Sequence, residues 1–357
     1  MKNLVLIAGS VAIFLIYFAG CTKSYPFAPI QALEQVKFTT GDTTYLEITP
    51  PFTGFDHPTS LLIGNDDLMY VVNSGDDRIV MMDISGRVLG ECAILQPTAI
   101  AQDLRLDLLV GGAVANASGD TVGALFRIHL VPVNHQIEQA RIDTIWKEDA
   151  HPSRRFVGIA VMPDNQYLAA RTGPDNSSFI DPDTRVLRFS DADHFITPVT
   201  DLATGTGTGI TFINHVTGLS AFPSSHDFII LQSSEGVAFG AIWMVYENDP
   251  NFEGWLPKFD PSDVSQASVD FIRPNRFVDP TSVTMDNTRL DIFIADPAQD
   301  SIFKFNSKGV FRQESFGSFA TNGQMMRPTG VAFFDKTLYV SDADANCIFR
   351  FKLNSDF

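Results

Sequence analysis

Hydrophobic residues in this chain fall into short β-prone runs, broken by Gly, Pro, Asp and Asn, and the runs recur in groups of three. The clearest group is residues 327–351, RPTGVAFFDKTLYVSDADANCIFRF. It opens on Pro-Thr-Gly, runs into Val-Ala-Phe-Phe and breaks at Asp335-Lys336. It resumes as Leu-Tyr-Val-Ser-Asp, breaks at the acidic residues 342–346, and resumes as Ile-Phe-Arg-Phe. Three such runs separated by turn residues predict a small antiparallel meander. A meander of this size cannot bury both of its faces alone and needs copies of itself to stack against.

The copies are present. Openings of the same kind begin at His57-Pro58-Thr59-Ser60, Gln96-Pro97-Thr98-Ala99, Arg155-Phe156-Val157-Gly158, His215-Val216-Thr217-Gly218, Asp279-Pro280-Thr281-Ser282 and Arg327-Pro328-Thr329-Gly330. Five of these six carry Thr in the third slot, and all six carry Ser, Ala or Gly in the fourth. Small residues belong where inner strands converge on a central axis. A second run follows each opening, at 68–73, 106–111, 167–170, 228–231, 292–296 and 338–342. A third follows at 78–82, 124–130, 185–189, 241–246, 301–305 and 347–351.

The last group ends without a fourth run. The β-prone residues 43–48, TTYLEI, have no partner near them in sequence. They are expected to supply the missing outer strand, closing the ring and removing its exposed edges. The fold expected is therefore all-β, six stacked meanders closed into a ring by an N-terminal strand and spanning 41–357. Helix is expected only as two turns at most, over 30–37. Asn73, Asp296 and Asp342 sit where strands turn and are read as caps of the following backbone. Residues 112–123 and 172–184 read as long loops between second and third strands. Residues 131–154 and 247–268 read as insertions, the latter carrying Trp255. Long loops on a rigid scaffold are where function concentrates.

Residues 55–90, 279–317 and 327–351 resemble the NHL repeat, with its Pro-x-Gly-Val/Ile-Ala opening, Leu-Tyr-Val-x-Asp middle and Gly turn, here Ser85-Gly86 and Lys308-Gly309. The middle three units match loosely. The resemblance implies a propeller, commonly of six blades, so the ring is expected to be a six-bladed β-propeller. Some NHL-type propellers are lyases with metal-binding His after the opening Pro. Here that slot reads Thr59, Thr98, Val157, Thr217, Thr281 and Thr329, so that site does not carry over. Related six-bladed lactone hydrolases use Glu, Asn and Asp in the channel.

The N-terminus reads as a targeting segment. Met1-Lys2-Asn3 precedes an apolar run over 4–19 that ends in Phe18-Ala19-Gly20-Cys21. This resembles the bacterial lipoprotein signal. It implies removal of 1–20, lipidation of Cys21, a tether over 21–40 and anchoring in the cell envelope. Thr22 favours the outer membrane or cell surface. Cys92 and Cys347 are the other cysteines. They lie in different repeats, and disulfide geometry is demanding, so they are read as two buried free thiols. The net charge of −17 argues against nucleic acid as a partner, because neutralising phosphates takes a basic face.

The residue ahead of each opening should ring one mouth of the channel. The set is His57, Gln96, Arg155, His215, Asp279 and Arg327, with Arg171 just past the second strand of the third blade. These are candidate ligand-binding residues. The arginines could gather an anion, or all could be ordinary solvated or ion-paired rim residues. No Gly-x-Ser-x-Gly occurs, and Thr206-Gly207-Thr208-Gly209 follows no strand-to-helix pattern, so it reads as a flexible loop. No cofactor is expected. The function expected is a lipid-anchored module that binds a protein, peptide or glycan. The alternative is a metal-assisted lyase or lactone hydrolase with His57, His215 and Asp279 at the mouth.

Overall fold

The computed structural model describes residues 43–233, 235–318 and 323–357. The expected signal segment, Cys21, the tether and the short helix over 30–37 lie outside these residues. The described chain is a six-bladed β-propeller, each blade an antiparallel meander whose first strand is innermost. Blade one holds strands Pro58–Ile63, Leu68–Asn73, Arg78–Asp83 and Val88–Ala93. Blade two holds Leu95–Gln102, Leu108–Ala115, Thr121–His129 and Arg141–Lys147. Blade three holds Arg155–Val161, Tyr167–Thr172, Arg185–Phe189 and Phe195–Pro198. Blade four holds Val216–Ala221, Phe228–Gln232, Ala241–Asp249 and Phe252–Pro257. Blade five holds Ser282–Met285, Ile292–Asp296, Ser301–Phe305 and Phe316–Gly317. Blade six holds Pro328–Phe334, Thr337–Asp342 and Cys347–Leu353.

The outer strand of blade six comes from the other end of the chain. Tyr45–Glu47 pairs antiparallel with the last strand, Tyr45 opposite Leu353 and Glu47 opposite Phe351. Phe52–Thr53 extends the pairing to Ile348 and Cys347. Second strands are buried on both faces, as in Phe228–Gln232 and Ile292–Asp296, because each blade lies between two others. This is why they read as continuous apolar runs rather than alternating ones. The packing falls between blades: Val71 and Met82 of blade one share a cluster with Tyr339 and Ile348 of blade six.

The third slot of each opening has a structural task. The Thr98 hydroxyl donates to the Phe156 carbonyl of the next blade, and Thr217 donates to Pro280. Thr281 donates to the Thr329 carbonyl at 2.8 Å, and Thr329 donates to Pro58 at 3.0 Å. In blade one the contact is relayed: Thr59 bonds the Ser74 hydroxyl, which donates to Pro97 at 2.8 Å. Val157 breaks this belt at the junction of blades three and four. The fourth slot is small for a related reason. A Cβ on Gly218 would lie 2.6 Å from the Thr281 carbonyl oxygen, and one on Gly158 the same distance from the Leu219 nitrogen. Neighbouring inner strands approach too closely there for a side chain.

Three expectations are corrected. Residues 112–123 are not a loop: Leu108–Ala115 and Thr121–His129 form a long hairpin, with Ala115 opposite Thr121. Residues 131–154 contain the outer strand of blade two, Arg141–Lys147. Residues 247–257 are the outer hairpin of blade four, with Trp255 opposite Tyr246. Trp255 is buried at 4 % exposure, and its indole N–H donates to the His226 carbonyl at 2.7 Å. The outer strands of blades two and four are not legible in the sequence because solvent on one side dilutes their apolar pattern. A short helix, Gln266–Phe271, leads from blade four towards blade five, capped by the Ser265 side chain. Cys92 and Cys347 are buried and unbridged. Burial pushes both thiols up to about 12.

Removing one link of the belt strands a buried carbonyl. Thr329→Val is expected to lower the unfolding free energy by about 1–3 kcal/mol. Gly218→Ala forces a backbone clash and should cost a similar about 1–3 kcal/mol. Both are read as a shift of the urea midpoint at constant slope. An unmoved midpoint in Thr329→Val would show the belt to be incidental.

Candidate functional site

Successive strands of a blade run in opposite directions. The approaches to the inner strands and the turns from second to third strands therefore share one face. The six ring positions lie at this face, and local hydrogen bonds fix each of them. His57, Gln96 and His215 adopt φ of 52°, 45° and 49°, a left-handed conformation uncommon for residues other than Gly. The His57 N–H donates to Asn346 Oδ1, and the Gln96 N–H to Asp77 Oδ1, both at 2.7 Å. The His215 carbonyl accepts from the Ser233 N–H.

Of Asn73, Asp296 and Asp342, only Asp342 caps the backbone after it; the side chains of Asn73 and Asp296 make no such bond, because they are turned towards the preceding chain. Each is buried and reaches back to the approach of its own inner strand. Asn73 Oδ1 accepts from the Asp56 N–H at 2.8 Å. Asp296 accepts from Val278 at 2.7 Å, and Asp342 from Met326 at 2.6 Å. Asp342 also caps its own turn through the Ala345 N–H. Gln232 does the same work in blade four, accepting from the Asn214 N–H.

The ring charges do not converge on one point. Asp344, which the sequence pattern did not single out, gathers two of them. Its Oδ1 lies 3.8 Å from Arg327 Nη1 and 4.0 Å from His57 Nδ1. All three side chains are more than two-fifths exposed, so these contacts add little stability. Asp279 is half-buried nearby. Burial pushes its carboxyl up, Asp296 adds to this, and Arg327 opposes it. Arg155 turns onto the carbonyls of Pro152 and Arg154. Gln96 and Arg327 line the channel. Among the described residues no three His, Cys, Asp or Glu gather where they could hold a metal, so His57, His215 and Asp279 do not form such a centre.

Arg171 belongs to a different structure. It occupies the register position of Asn73, opposite Phe156, and every guanidinium nitrogen is engaged. Nε donates to the Asp183 carbonyl, Nη1 to Glu148 Oε1 at 3.0 Å, and Nη2 to Asp181 Oδ1 at 2.6 Å and the Pro182 carbonyl. Beside it the 2 % exposed Arg154 bonds Asp183, Glu148 and Asp181. Burial works to depress the Arg154 pKa, but these three carboxylates outweigh it and hold it above the ordinary value. Two buried arginines thus clamp the base of the loop over 172–184. The loop also binds itself: Asp175 N–H to Asp183 Oδ2 at 2.8 Å, Thr184 N–H to Asn176 Oδ1 at 2.8 Å, and Asp181 N–H to Ser178 Oγ at 3.0 Å. At its tip Phe179 is 99 % exposed and Ile180 82 %.

The channel encloses about 670 Å3. Its wall is made of inner strands, and Arg327 is the sole charged residue among the described residues lining it. Most of the third-slot threonines in the wall spend their hydroxyl protons on neighbouring blades. The wall is therefore mildly polar, and among the described residues lining it there is no acid and base pair.

No family model matches the chain, and no curated protein matches it in sequence. Solved structures of the same fold do. A luciferin-regenerating enzyme superposes with a TM-score of 0.58 at 12% identity, covering 87% of this chain and 95% of that one. An auxiliary nutrient binding protein from Bacteroides thetaiotaomicron VPI-5482 gives 0.57 at 12% identity, covering 84% and 70%. The PQQ-bound aldose sugar dehydrogenase from Streptomyces coelicolor gives 0.56 at 13% identity, covering 88% and 99%. At such identities the likeness is one of fold alone.

Asp279 carries a testable cost. A carboxyl whose folded pKa is raised binds its proton more tightly than in the unfolded chain. Stability therefore falls as pH rises through the ordinary carboxylate range. Asp279→Asn is expected to raise the melting temperature at neutral pH. The gain should vanish below about pH 4, where both states are protonated. A gain independent of pH would contradict the assignment.

Proposed function

We propose that this protein is a lipid-anchored binding module of the bacterial cell envelope, held in a membrane through Cys21. The blade openings and the Leu-Tyr-Val-Ser-Asp run support reading its repeats as NHL-like. The rigid disc presents the face with the channel mouth and the 172–184 loop to a protein, peptide or glycan, and of these a protein partner fits best. One observation carries this reading: Phe179 and Ile180 stand almost fully in solvent on a loop whose base is locked by Arg154 and Arg171. An aromatic anchor held rigid before contact is how interface hot spots gain affinity without an ordering cost. The solved structures of this fold include a nutrient binding protein and enzymes, so the fold by itself does not choose between them. The absence of an acid–base pair or gathered metal ligands along the described channel favours binding.

Photo-crosslinking from position 178 in intact cells tests the surface. The native chain should give a discrete adduct with one envelope protein, and the Phe179→Ser, Ile180→Ser double variant should lose it. Both side chains are more than four-fifths exposed, so the variant should melt within about 1 °C of the native protein. An adduct that survives the double variant would remove this reading. The anchor is tested separately. Cys21→Ala should abolish metabolic labelling with palmitate and release the chain into the soluble fraction, whereas an unchanged labelled band would refute lipidation.

A further inference from the structure

On the opposite face, where first strands turn into second strands, a separate pocket of about 330 Å3 lies between blades five and six. Its size is at the lower end for small-molecule sites, roughly 300–1,000 Å3. The turn after Ser282–Met285 forms one wall and the turn after Pro328–Phe334 another. The closing strand contributes Tyr45. Phe293 and Phe333 stack within the lining, centroids 5.2 Å apart and planes 11° apart.

Three polar side chains in the lining are more than nine-tenths buried: Tyr45 at 3 %, Lys304 at 3 % and Asp286 at 7 % exposure. Among the described residues the Tyr45 hydroxyl has no hydrogen-bond partner. Burial first, and then Asp291 and other nearby acids, hold this phenol protonated well above its ordinary pKa, so it remains an O–H donor. The Lys304 ammonium lies 3.1 Å from Asp291 Oδ2, and an ammonium has three protons to give. Asp286 Oδ1 accepts from the Thr288 N–H at 2.7 Å, which leaves its second oxygen for another donor. All three residues line one pocket, so their unspent donors and acceptors are within reach of a ligand that enters it.

We propose that this pocket binds a small neutral polyol of the monosaccharide class. A sugar hydroxyl both donates and accepts. It can therefore serve the Asp286 and Asp291 carboxylates and the Lys304 ammonium and Tyr45 phenol at once. Its C–H face suits the half-buried ring of Phe333. The lining charges oppose a charged ligand of either sign. Arg289, Lys304 and Lys336 stand against Asp286, Asp291, Asp335 and Asp356, and Lys336 and Asp356 pair at 3.4 Å. This site shares only Asn287 and Phe333 with the channel wall and is independent of the loop carrying Phe179.

The test is calorimetric titration of the full chain with D-glucose, D-galactose, D-mannose, D-xylose and L-arabinose, with gluconate and glucosamine as charged controls. At least one neutral sugar should bind more tightly than either control. Tyr45→Phe, which removes only the hydroxyl, should weaken that binding about tenfold. Asp286→Asn provides a second variant should Tyr45→Phe disturb closure. Arg327→Ala, in the channel, should leave the affinity unchanged. No binding of any neutral sugar up to about 10 mM, stronger binding of gluconate or glucosamine, or affinity indifferent to both pocket variants would overturn the proposal. Loss of binding in Arg327→Ala with the pocket variants unaffected would place the sugar in the channel and equally overturn it.

Discussion

The close approach of six inner strands to a common axis is the constraint on which the rest of this structure depends. It demands residues without side chains, or with very short ones, at the fourth slot of each opening. At the third slot it offers a hydroxyl a carbonyl on the neighbouring blade. Thr98, Thr217, Thr281 and Thr329 take that offer, and Thr59 takes it through Ser74. Each bond is worth only about 1 kcal/mol. Their effect is cooperative because they run around a ring open only between blades three and four, so that no other blade can shift without opening two junctions.

Closure supplies the other half of that cooperativity. The last blade borrows Tyr45–Glu47, so the ends of the described chain are held in one sheet. Tyr45 then packs its ring against Phe293 and Phe316 of blade five, which ties the join to the interior rather than to an edge. The same residue lines the pocket between blades five and six. Ring closure and the formation of that pocket are therefore one event.

The parts legible in the sequence are those where the repeat forces the same residue type each time. The six openings, the small slot and the missing outer strand of blade six could be read directly, because backbone crowding leaves few choices there. Outer strands could not. Arg141–Lys147 is largely exposed and carries no apolar period, and Phe252–Pro257 hid within what read as an insertion. The ring positions fall where the inner strands begin, but their chemistry was not legible. Arg171 aligned with a turn position, yet its partners Glu148, Asp181 and Asp183 come from loops outside the repeat pattern. Asp344 escaped notice because it lies within the turn, two residues past Asp342, at a position that the repeat pattern does not mark. The charge of a rim residue depends on what long loops bring to it, and repeat periodicity carries no record of that.

Hydrogen exchange of the native protein tests the closed ring most directly. If the latch and the belt hold the blades as one unit, amides of Tyr45–Glu47, Cys347–Leu353 and the inner strands will exchange together, with the free energy of global unfolding. Early exchange of Tyr45–Glu47 and Cys347–Leu353 while blades two to four stay protected would contradict the account, showing a stack of blades that stands without its join.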